Sequence, residues 1–484
     1  MRKLSSPFTS FLAIAALSSC GGGNDGASPA SPPPSPVLAS ITITPANGTL
    51  ELGSTQTFTA TGTLTDNSTK DVTQTATWSS SDSTVLLLNN SAGRVGVANT
   101  RGPGTVTVTA AVGSIKGTTQ ATVARPTPRF LYAASNGSNG AITAFRVDPT
   151  TGSLTAIGTP YSTTNNPVSL AVTRDSKFLY VAENSGYLSA RAIQADGSLV
   201  PVLGSPFPNP DSPTGVVAHP TADFLYVSRQ AGVTVYGYDP ASGTPTITSS
   251  VVTAGNSQLA AIAADGSHFY QTVFVFGGNQ DQIAGFSVDS ASGALSTLPS
   301  GPVLLWGPCP NPEVINYVPR QVALDPAGKF LYVAIEGGFQ PAYCPSYSFP
   351  GYSIDPASGA MTEMPGSPFA AGENPASVAV EASGRFLFVG NVGGLSISGG
   401  EASVGVAVYS INPDTGVPTE VAGSPFATAS NPAFLVADPS ARYLYVGTGS
   451  GILGFTIDQT TGALVANPGA TVAVGNVQFI VVTH

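Results

Sequence analysis

Charged residues are scarce in this chain, at 9% of its 484 positions, and its formal net charge is −10. Its 17 lysines and arginines form no cluster in the sequence. Proteins that bind the phosphates of a nucleic acid do so with clustered lysine and arginine side chains. We therefore expect no nucleic-acid partner. Cysteine and histidine are scarcer still, with three residues of each. A zinc site needs several such ligands close together, so we expect no metal centre and no cofactor.

Long apolar runs are also missing, apart from a short one near the start. The segment "MRKLSSPFTSFLAIAALSSC" has a basic beginning, an apolar run from Phe11 to Leu17 and small residues before Cys20. This run is too short to span a bilayer, which indicates a cleaved export signal over residues 1–19. The ending "LSSC" resembles the lipobox of bacterial lipoproteins.

That resemblance implies a lipid on Cys20, and hence a membrane partner reached through it. By the same analogy, Gly21 implies the outer membrane, on its periplasmic side or at the cell surface. The alternative is a plain secretory signal that happens to end near a cysteine.

Glycine and proline are plentiful instead, with 55 and 41 residues. Residues 20–37, "CGGGNDGASPASPPPSPV", cannot bury enough apolar surface to fold, so they predict a tether. Beyond the tether, Val, Thr and Ser recur between turn residues, which is typical of many short strands. The predicted fold class is therefore all-β.

Residues 38–125 alternate apolar and polar side chains, as in "ASITITPANGTLELG" and "GPGTVTVTA". The turn spacing predicts a small Ig-like β-sandwich with Trp78 in its core. This segment resembles the bacterial Ig-like domains of group 2. The resemblance implies a spacer, and an adhesive role is the alternative.

Residues 126–484 form a repeat array built on an aromatic motif such as "FLYVA". The motif recurs at intervals of roughly 45–60 residues, the length of a four-stranded propeller blade. It begins at Phe130, Phe178, Phe224, His268, Phe330, Phe386 and Tyr443. The first unit lacks its innermost strand and the chain ends with "NVQFIVVTH". We therefore expect a seven-bladed β-propeller closed by a C-terminal strand.

Turn chemistry also follows the repeat, because the third strand of most units ends in a segment such as "DPASG". An Asx side chain, a proline and a glycine at this spacing are typical of a tight hairpin turn. The acidic turn residues are Asp148, Asp239, Asp289, Asp355 and Asp458. Much of the negative charge is therefore predicted to be structural.

Strand order assigns the connections of an up-and-down blade to two faces. The long insertions 299–318, 337–350 and 390–404 share one of them, which we call the long-loop face. The opposite tight-turn face is predicted to hold all three histidines, His219, His268 and His484. A Ser-His-Asp or Cys-His mechanism therefore has no candidate base on the long-loop face.

Aromatic side chains are concentrated in the insertions of the long-loop face. Flat aromatics can stack on a sugar ring or anchor a protein partner, so these are candidate ligand-binding residues. They are Trp306, Phe339, Tyr343 and Tyr347. Alternatively, they pack the insertions against one another.

Two cysteines also lie in these insertions, Cys309 and Cys344. An even pair in an exported protein permits a disulfide, and both insertions flank the same blade. The alternative is two separate free thiols.

The segments "FLYVA", "IDPASGAMT" and "GSPF" resemble those of the lactonase-type seven-bladed propellers, a group that includes 6-phosphogluconolactonase. In that family the segment matching "PRQVALDPAGKFLYVAIE" contributes an arginine and a glutamate to the active site. The resemblance therefore implies Arg320 and Glu336 as catalytic residues. Gln321 stands where the family has a histidine. Glu183, near the rim of another blade, is a further candidate for ligand contact.

Two functions follow from these observations. The incomplete catalytic pattern favours a lipid-anchored envelope protein whose propeller binds a glycan or an envelope protein. The alternative is a hydrolase that opens a sugar lactone, in which Arg320 stabilises an oxyanion and Glu336 is the general base. A third interpretation of Arg320 and Glu336 is a structural salt bridge.

Overall fold

A computed structural model describes residues 35–51, 54–91, 93–102, 104–124, 128–136, 140–275, 281–305, 318–336, 348–393 and 404–483. The chain divides into two compact units, Met1–Arg125 and Pro126–His484. We call them the Ig-like unit and the propeller unit.

The Ig-like unit consists of short strands: β1 Leu38–Thr44, β2 Gly48–Glu51, β3 Thr55–Thr57, β4 Thr59–Leu64, β5 Thr69–Asp71, β6 Thr77–Ser80, β7 Leu86–Leu88, β8 Val97–Thr100, β9 Gly104–Val112 and β10 Ile115–Ala124. They form three sheets, ordered β1-β4-β5, β2-β10-β9-β6 and β3-β8-β7. Alternating side chains of β9 and β10 are buried, because successive residues of a strand point to opposite faces.

Trp78 lies in the core of this unit, as predicted. Its side chain is buried against Phe58, with 6.3 Å between the ring centroids. The indole Nε1 donates a hydrogen bond to the carbonyl oxygen of Thr73 at 3.1 Å. The polar atom of a buried aromatic therefore has a partner, which is what such burial requires.

The propeller unit begins with three blades. Blade 1 contains β11 Arg129–Asn136, β12 Ala141–Val147 and β13 Leu154–Ser162; blade 2 contains β14 Pro167–Val172, β15 Phe178–Glu183, β16 Tyr187–Ile193, β17 Leu199–Pro201 and β18 Phe207–Pro208; blade 3 contains β19 Pro213–Ala218, β20 Phe224–Arg229, β21 Gly232–Tyr238 and β22 Pro245–Val252.

Four further blades follow. Blade 4 contains β23 Asn256–Ile262, β24 His268–Phe274, β25 Gln282–Val288, β26 Leu295–Thr297 and β27 Val303–Leu304; blade 5 contains β28 Val318–Leu324, β29 Phe330–Glu336, β30 Ser348–Phe349, β31 Gly351–Ile354, β32 Met361–Glu363 and β33 Phe369–Ala370; blade 6 contains β34 Pro375–Val380, β35 Phe386–Asn391, β36 Gly405–Ile411, β37 Pro418–Glu420 and β38 Phe426–Ala427; blade 7 contains β39 Pro432–Ala437, β40 Tyr443–Thr448, β41 Gly451–Ile457 and β42 Leu464–Ala466.

The four longer strands of each blade form an antiparallel meander in which neighbours in sequence are neighbours in the sheet. The two-residue strands are exceptions: β18, β27 and β38 pair with the third strand of their blades, and β30 pairs with β33. The last strand, β43 Asn476–Val482, pairs antiparallel with β11 and is the innermost strand of blade 1. That sheet is therefore built from both ends of the unit. The predicted all-β fold, a small sandwich followed by a propeller, is confirmed.

Helical structure is limited, in the described part of the chain, to a 3₁₀ turn at Pro468–Ala470. No helix in that part is long and apolar enough to cross a membrane.

A tyrosine hydroxyl links most blades to the next one. Tyr332 in β29 is fully buried, and its hydroxyl donates to the carbonyl oxygen of Gly416 in blade 6 at 2.6 Å. The same bond joins Tyr132 to Gly197, Tyr180 to Gly243, Tyr270 to Gly359 and Tyr445 to Gly152. The glycines follow the third strand of each blade and have positive φ. The repeated aromatic motif therefore fixes the spacing between blades.

The predicted turn role of the aspartates is confirmed. Asp239 Oδ1 accepts from the backbone N–H groups of Ala241 at 2.8 Å and Ser242 at 2.7 Å. These bonds, led by the one from Ser242, hold the pKa of Asp239 below its ordinary value. Equivalent bonds are made by Asp148, Asp289, Asp355 and Asp458. These carboxylates are therefore occupied by their own turns.

Candidate functional site

Each propeller sheet has an irregularity near the start of its innermost strand. In blade 5 the ladder pairs Pro319 with Ile335 and then Gln321 with Ala334, so Arg320 has no partner across the ladder. The residues skipped in the other blades are Gln478, Val168, Thr214, Gln258 with Leu259, Ala376 and Ala433. A β-bulge of this kind redirects the extra side chain. Here every skipped residue lines one cavity.

This central cavity has a volume of about 510 Å³. It lies where the innermost strands begin and the second strands end, which is the long-loop face. All seven blades contribute to its wall. A concave site of this size is in the range that binds small molecules.

Arg320 and Glu336 form an ion pair in this cavity, from Arg320 Nε to Glu336 Oε2. The arginine side chain is 47% exposed and the glutamate side chain 26%. Of the described residues that line the cavity, they alone are charged. The sequence prediction that these two residues share the rim of the channel on the long-loop face therefore matches their position.

The remaining polar lining consists mainly of carboxamides, which both donate and accept hydrogen bonds. They are Asn136, Asn184, Gln258, Gln321, Asn431 and Gln478. Asn136 Oδ1 is buried and has no hydrogen-bond partner among the described residues. An unpaired buried acceptor is costly, so this oxygen is a natural partner for a hydroxyl of a ligand.

An apolar cluster occupies another part of the cavity. Phe434 of blade 7 and Phe479 of blade 1 lie against each other, with ring centroids 3.9 Å apart. Leu259 of blade 4 packs against the same cluster. The cavity therefore combines one ion pair, several neutral amides and an aromatic surface.

Glu183 does not reach the cavity, which corrects its proposed ligand contact. The ladder pairs Glu183 with Pro167 as it pairs Ile335 with Pro319. The counterpart of Glu336 in blade 2 is therefore Asn184, and Glu183 points to the other face of its strand. Its carboxylate is fully buried and accepts from the Ser189 hydroxyl and from the backbone N–H of Asn165 at 2.9 Å.

The other predicted site residues lie outside the described residues. They are Cys20, Trp306, Cys309, Phe339, Tyr343, Cys344 and Tyr347. His484 also lies outside the described residues. The lipid attachment, the disulfide and the aromatic ligand contacts therefore stay predictions.

His219 lies in a turn between first and second strands, on the tight-turn face as expected. Its Nδ1 accepts from the backbone N–H groups of Thr221 at 3.1 Å and Ala222 at 2.9 Å. Asp325 caps the matching turn of blade 5, where its carboxylate accepts from Lys329 and Phe330. His219 therefore acts as a neutral turn cap, and burial lowers its pKa.

Replacing His219 with Asp is expected to make the propeller less sensitive to acid. Because the pKa of His219 is lowered on folding, the unfolded chain binds its proton first as the pH falls below about 6.5, and stability is lost there. Aspartate can cap this turn, as Asp325 does in blade 5, and stays ionised in this range. The melting temperature measured between pH 7.5 and pH 5 should fall less in His219→Asp than in the native chain. An equal fall would contradict this role.

Two other clefts, of about 780 and 350 Å³, lie at the tight-turn face. The larger contains the exposed ion pair between Arg174 and Asp223, and the smaller contains His268. The larger cleft is bigger than the central cavity, but its walls are mainly turn residues such as Asp239, whose carboxylate oxygen accepts hydrogen bonds from its own turn. The central cavity is therefore the candidate functional site.

Sequence reasoning missed several residues of this cavity, including Asn136, Gln258, Phe434 and Phe479. They differ in type from blade to blade, so no motif marks them. Their signal is position: each lies near the start of an innermost strand or, for Asn136, at the end of a second strand. Aligning the repeats on their ladders reveals them.

The described residues contain no group of three or more His, Cys, Asp or Glu side chains that could hold a metal ion.

Both units of the chain match known family models. The model of the family described as "Lactonase, 7-bladed beta-propeller" matches residues 89–211 and 319–482, more than half of the chain. The chain belongs to this lactonase family. The second matched segment contains both Arg320 and Glu336, whereas blades 3 and 4 are not matched. The model for the bacterial Ig-like domain (group 2) matches residues 37–123.

Solved structures of lactonase-like propellers share this fold. A periplasmic gluconolactonase of Pseudomonas aeruginosa has a TM-score of 0.56 at 16% identity, covering 74% of this chain and 99% of its own. A candidate 6-phosphogluconolactonase of Bacteroides uniformis has a TM-score of 0.57 at 18% identity, with the same coverage. At these identities the likeness shows the fold alone.

One curated relative is similar to this chain over a short segment only. Ice-binding protein 1 of Shewanella frigidimarina is 35% identical over 105 residues, which is 22% of this chain. The chain spans only 11% of the length of that relative.

Proposed function

We propose that the propeller unit hydrolyses an unphosphorylated sugar lactone in the central cavity. One observation carries this proposal: a single Arg–Glu pair is surrounded by neutral carboxamides where all seven blades meet. Membership of the lactonase family and the name of the Pseudomonas neighbour support it.

The ion pair supplies the groups that hydrolysis needs. Arg320 uses Nε for the pair with Glu336, and its guanidinium has further donors on both Nη atoms. Those donors can bind the carbonyl oxygen of the lactone and stabilise the negative charge that develops there. Glu336, beside it, can accept a proton from the attacking water.

The reaction then balances without a cofactor. The water oxygen bonds to the carbonyl carbon while Glu336 takes one proton. The ring C–O bond breaks, and the ring oxygen takes that proton back from Glu336. The product is the open-chain hydroxy acid.

The charge of the cavity argues against a phosphorylated substrate. A phosphate ester carries about −1.5 to −2 charges at neutral pH. The one cation in the described lining is already paired with Glu336, so such a ligand would bring charge into the cavity without compensation. Neutral hydroxyl groups, by contrast, match the carboxamides.

The native full-length chain tests this function. With D-glucono-1,5-lactone we expect ring opening well above the buffer rate, measured as acid release, and much weaker activity on the 6-phosphate. Ring opening no faster than in buffer would overturn the hydrolase.

A binding module for a glycan is the second candidate function, since carboxamides and an aromatic surface also suit a sugar that is held and not cut. Calorimetric binding of the lactone's open acid or of an oligosaccharide, without any hydrolysis, would favour this function. In this second candidate function, the ligand that the propeller binds could also be an envelope protein.

We also propose that the protein is exported and anchored in the outer membrane by a lipid on Cys20. The Ig-like domain supports a place outside the cytoplasm, where such a domain would space the propeller from the membrane.

Replacing Cys20 with Ala is expected to abolish lipid attachment and to release the protein from the membrane fraction. Metabolic labelling with a palmitate analogue measures the first effect and fractionation the second. Cys309→Ala is the matched control and should keep the label. A Cys20→Ala protein that is still labelled would contradict the anchor.

A further inference from the structure

The side-chain amide of Gln321 has a defined orientation. Its Oε1 accepts a hydrogen bond from the backbone N–H of Val378, in the innermost strand of blade 6, at 3.3 Å. A backbone N–H can only donate, so the oxygen of the amide faces Val378 and the NH₂ group is the other branch. Gln321 lines the central cavity, which makes its Nε2 donors available to a ligand there.

The bulge brings Gln321 and Arg320 to the same wall. In a regular strand, successive side chains point to opposite faces. Because the ladder skips Arg320, both residues line the central cavity although they are adjacent in sequence. A charged donor and a neutral donor therefore lie side by side, next to Glu336.

We propose that Gln321 is a catalytic residue that donates a hydrogen bond from Nε2 to the carbonyl oxygen of the lactone. This inference rests on the proposed hydrolase function. Gln321 transfers no proton: its N–H stabilises the oxygen while the carbonyl double bond opens and releases it when the ring C–O bond breaks. Two donors on one developing oxyanion are the arrangement that acyl-transfer sites use.

The bond to Val378 separates this role from a purely structural one. Gln321→Glu keeps an oxygen for the Val378 N–H and nearly the same shape, but an ionised carboxylate has no donor. Gln321→Met loses both the donor and the acceptor while adding no charge. A structural role requires only the acceptor, so it predicts native activity for Gln321→Glu.

The experiment measures kcat and KM for D-glucono-1,5-lactone with the native full-length chain and both variants. We expect kcat to fall about 100-fold in each, the usual cost of one oxyanion donor, with a smaller change in KM. The melting temperature should fall in Gln321→Met and stay near the native value in Gln321→Glu. Gln194→Glu, which adds the same charge at an exposed turn on the tight-turn face, should keep native kinetics.

The outcomes are distinct. Native-like kcat in either Gln321 variant would overturn this inference and leave the hydrolase standing. No hydrolysis by the native chain would overturn the hydrolase and this inference together. Loss of kcat in both variants, with the Gln321→Glu fold intact, would support the oxyanion donor.

Discussion

Replacing Glu336 with Gln is expected to lower kcat for lactone hydrolysis by about 100-fold or more, because a general base contributes at least that factor. Glutamine keeps the size and can still accept a hydrogen bond from Arg320, but it cannot take a proton from water. The measurement is the steady-state kinetics of the native and variant chains on D-glucono-1,5-lactone. Replacing Arg320 with Ala should cost a similar factor by removing the oxyanion partner.

The stability of the same variants separates catalysis from the structural salt bridge. The pair is substantially exposed, with Arg320 47% and Glu336 26% accessible, and exposed pairs contribute about 0–1 kcal/mol. We therefore expect both variants to melt close to the native temperature. Arg320→Ala/Glu336→Ala should cost little more activity than either single change, since the two groups act as a unit. A clear loss of stability with native kinetics would establish a structural role instead.

Replacing Tyr332 with Ala is expected to destabilise the propeller by about 3–5 kcal/mol, the usual cost of deleting a buried aromatic side chain. The ring is fully buried between blades and lies 6.4 Å from Phe349, centroid to centroid. Calorimetric unfolding of the full chain measures the effect. The Ig-like transition should not move.

The hydroxyl group can be tested by itself. Tyr332→Phe leaves the Gly416 carbonyl oxygen without its partner and should cost about 1–3 kcal/mol. Tyr226 is the matched control: it occupies the same place in blade 3, but its buried hydroxyl has no partner among the described residues. Tyr226→Phe should therefore be neutral or slightly stabilising. Equal losses in the two variants would show that the bond to glycine is not what holds the blades.

Most of the fold could be predicted from the sequence because the same pattern of strand and turn residues recurs in each blade. The aspartates that cap turns and the tyrosines between blades follow directly from residue type and spacing. The position of Arg320 and Glu336 on one face also followed, since strand order alone decides which ends of the strands meet.

The lining of the cavity could not be predicted in the same way. The sequence places Glu183 near the rim of blade 2, but a shift of one residue reverses the face of a strand. Only the ladder shows that Asn184 is the counterpart of Glu336. Phe434 and Phe479 occupy the same ladder position, directly after the skipped residue of blades 7 and 1. The other blades have different residue types there, so no repeat motif marks the position, and contacts across the channel are not encoded locally.

The bulge in each innermost strand has a consequence for how such a protein can change. The skipped residue, from Val168 in blade 2 to Arg320 in blade 5, makes no ladder pair. Its identity can therefore vary without disturbing the hydrogen bonds that hold the sheet. Each blade thus has one cavity-lining position at which a side chain can be substituted without loss of the fold. A change of ligand preference would require substitutions at a few such positions, while the propeller stays the same.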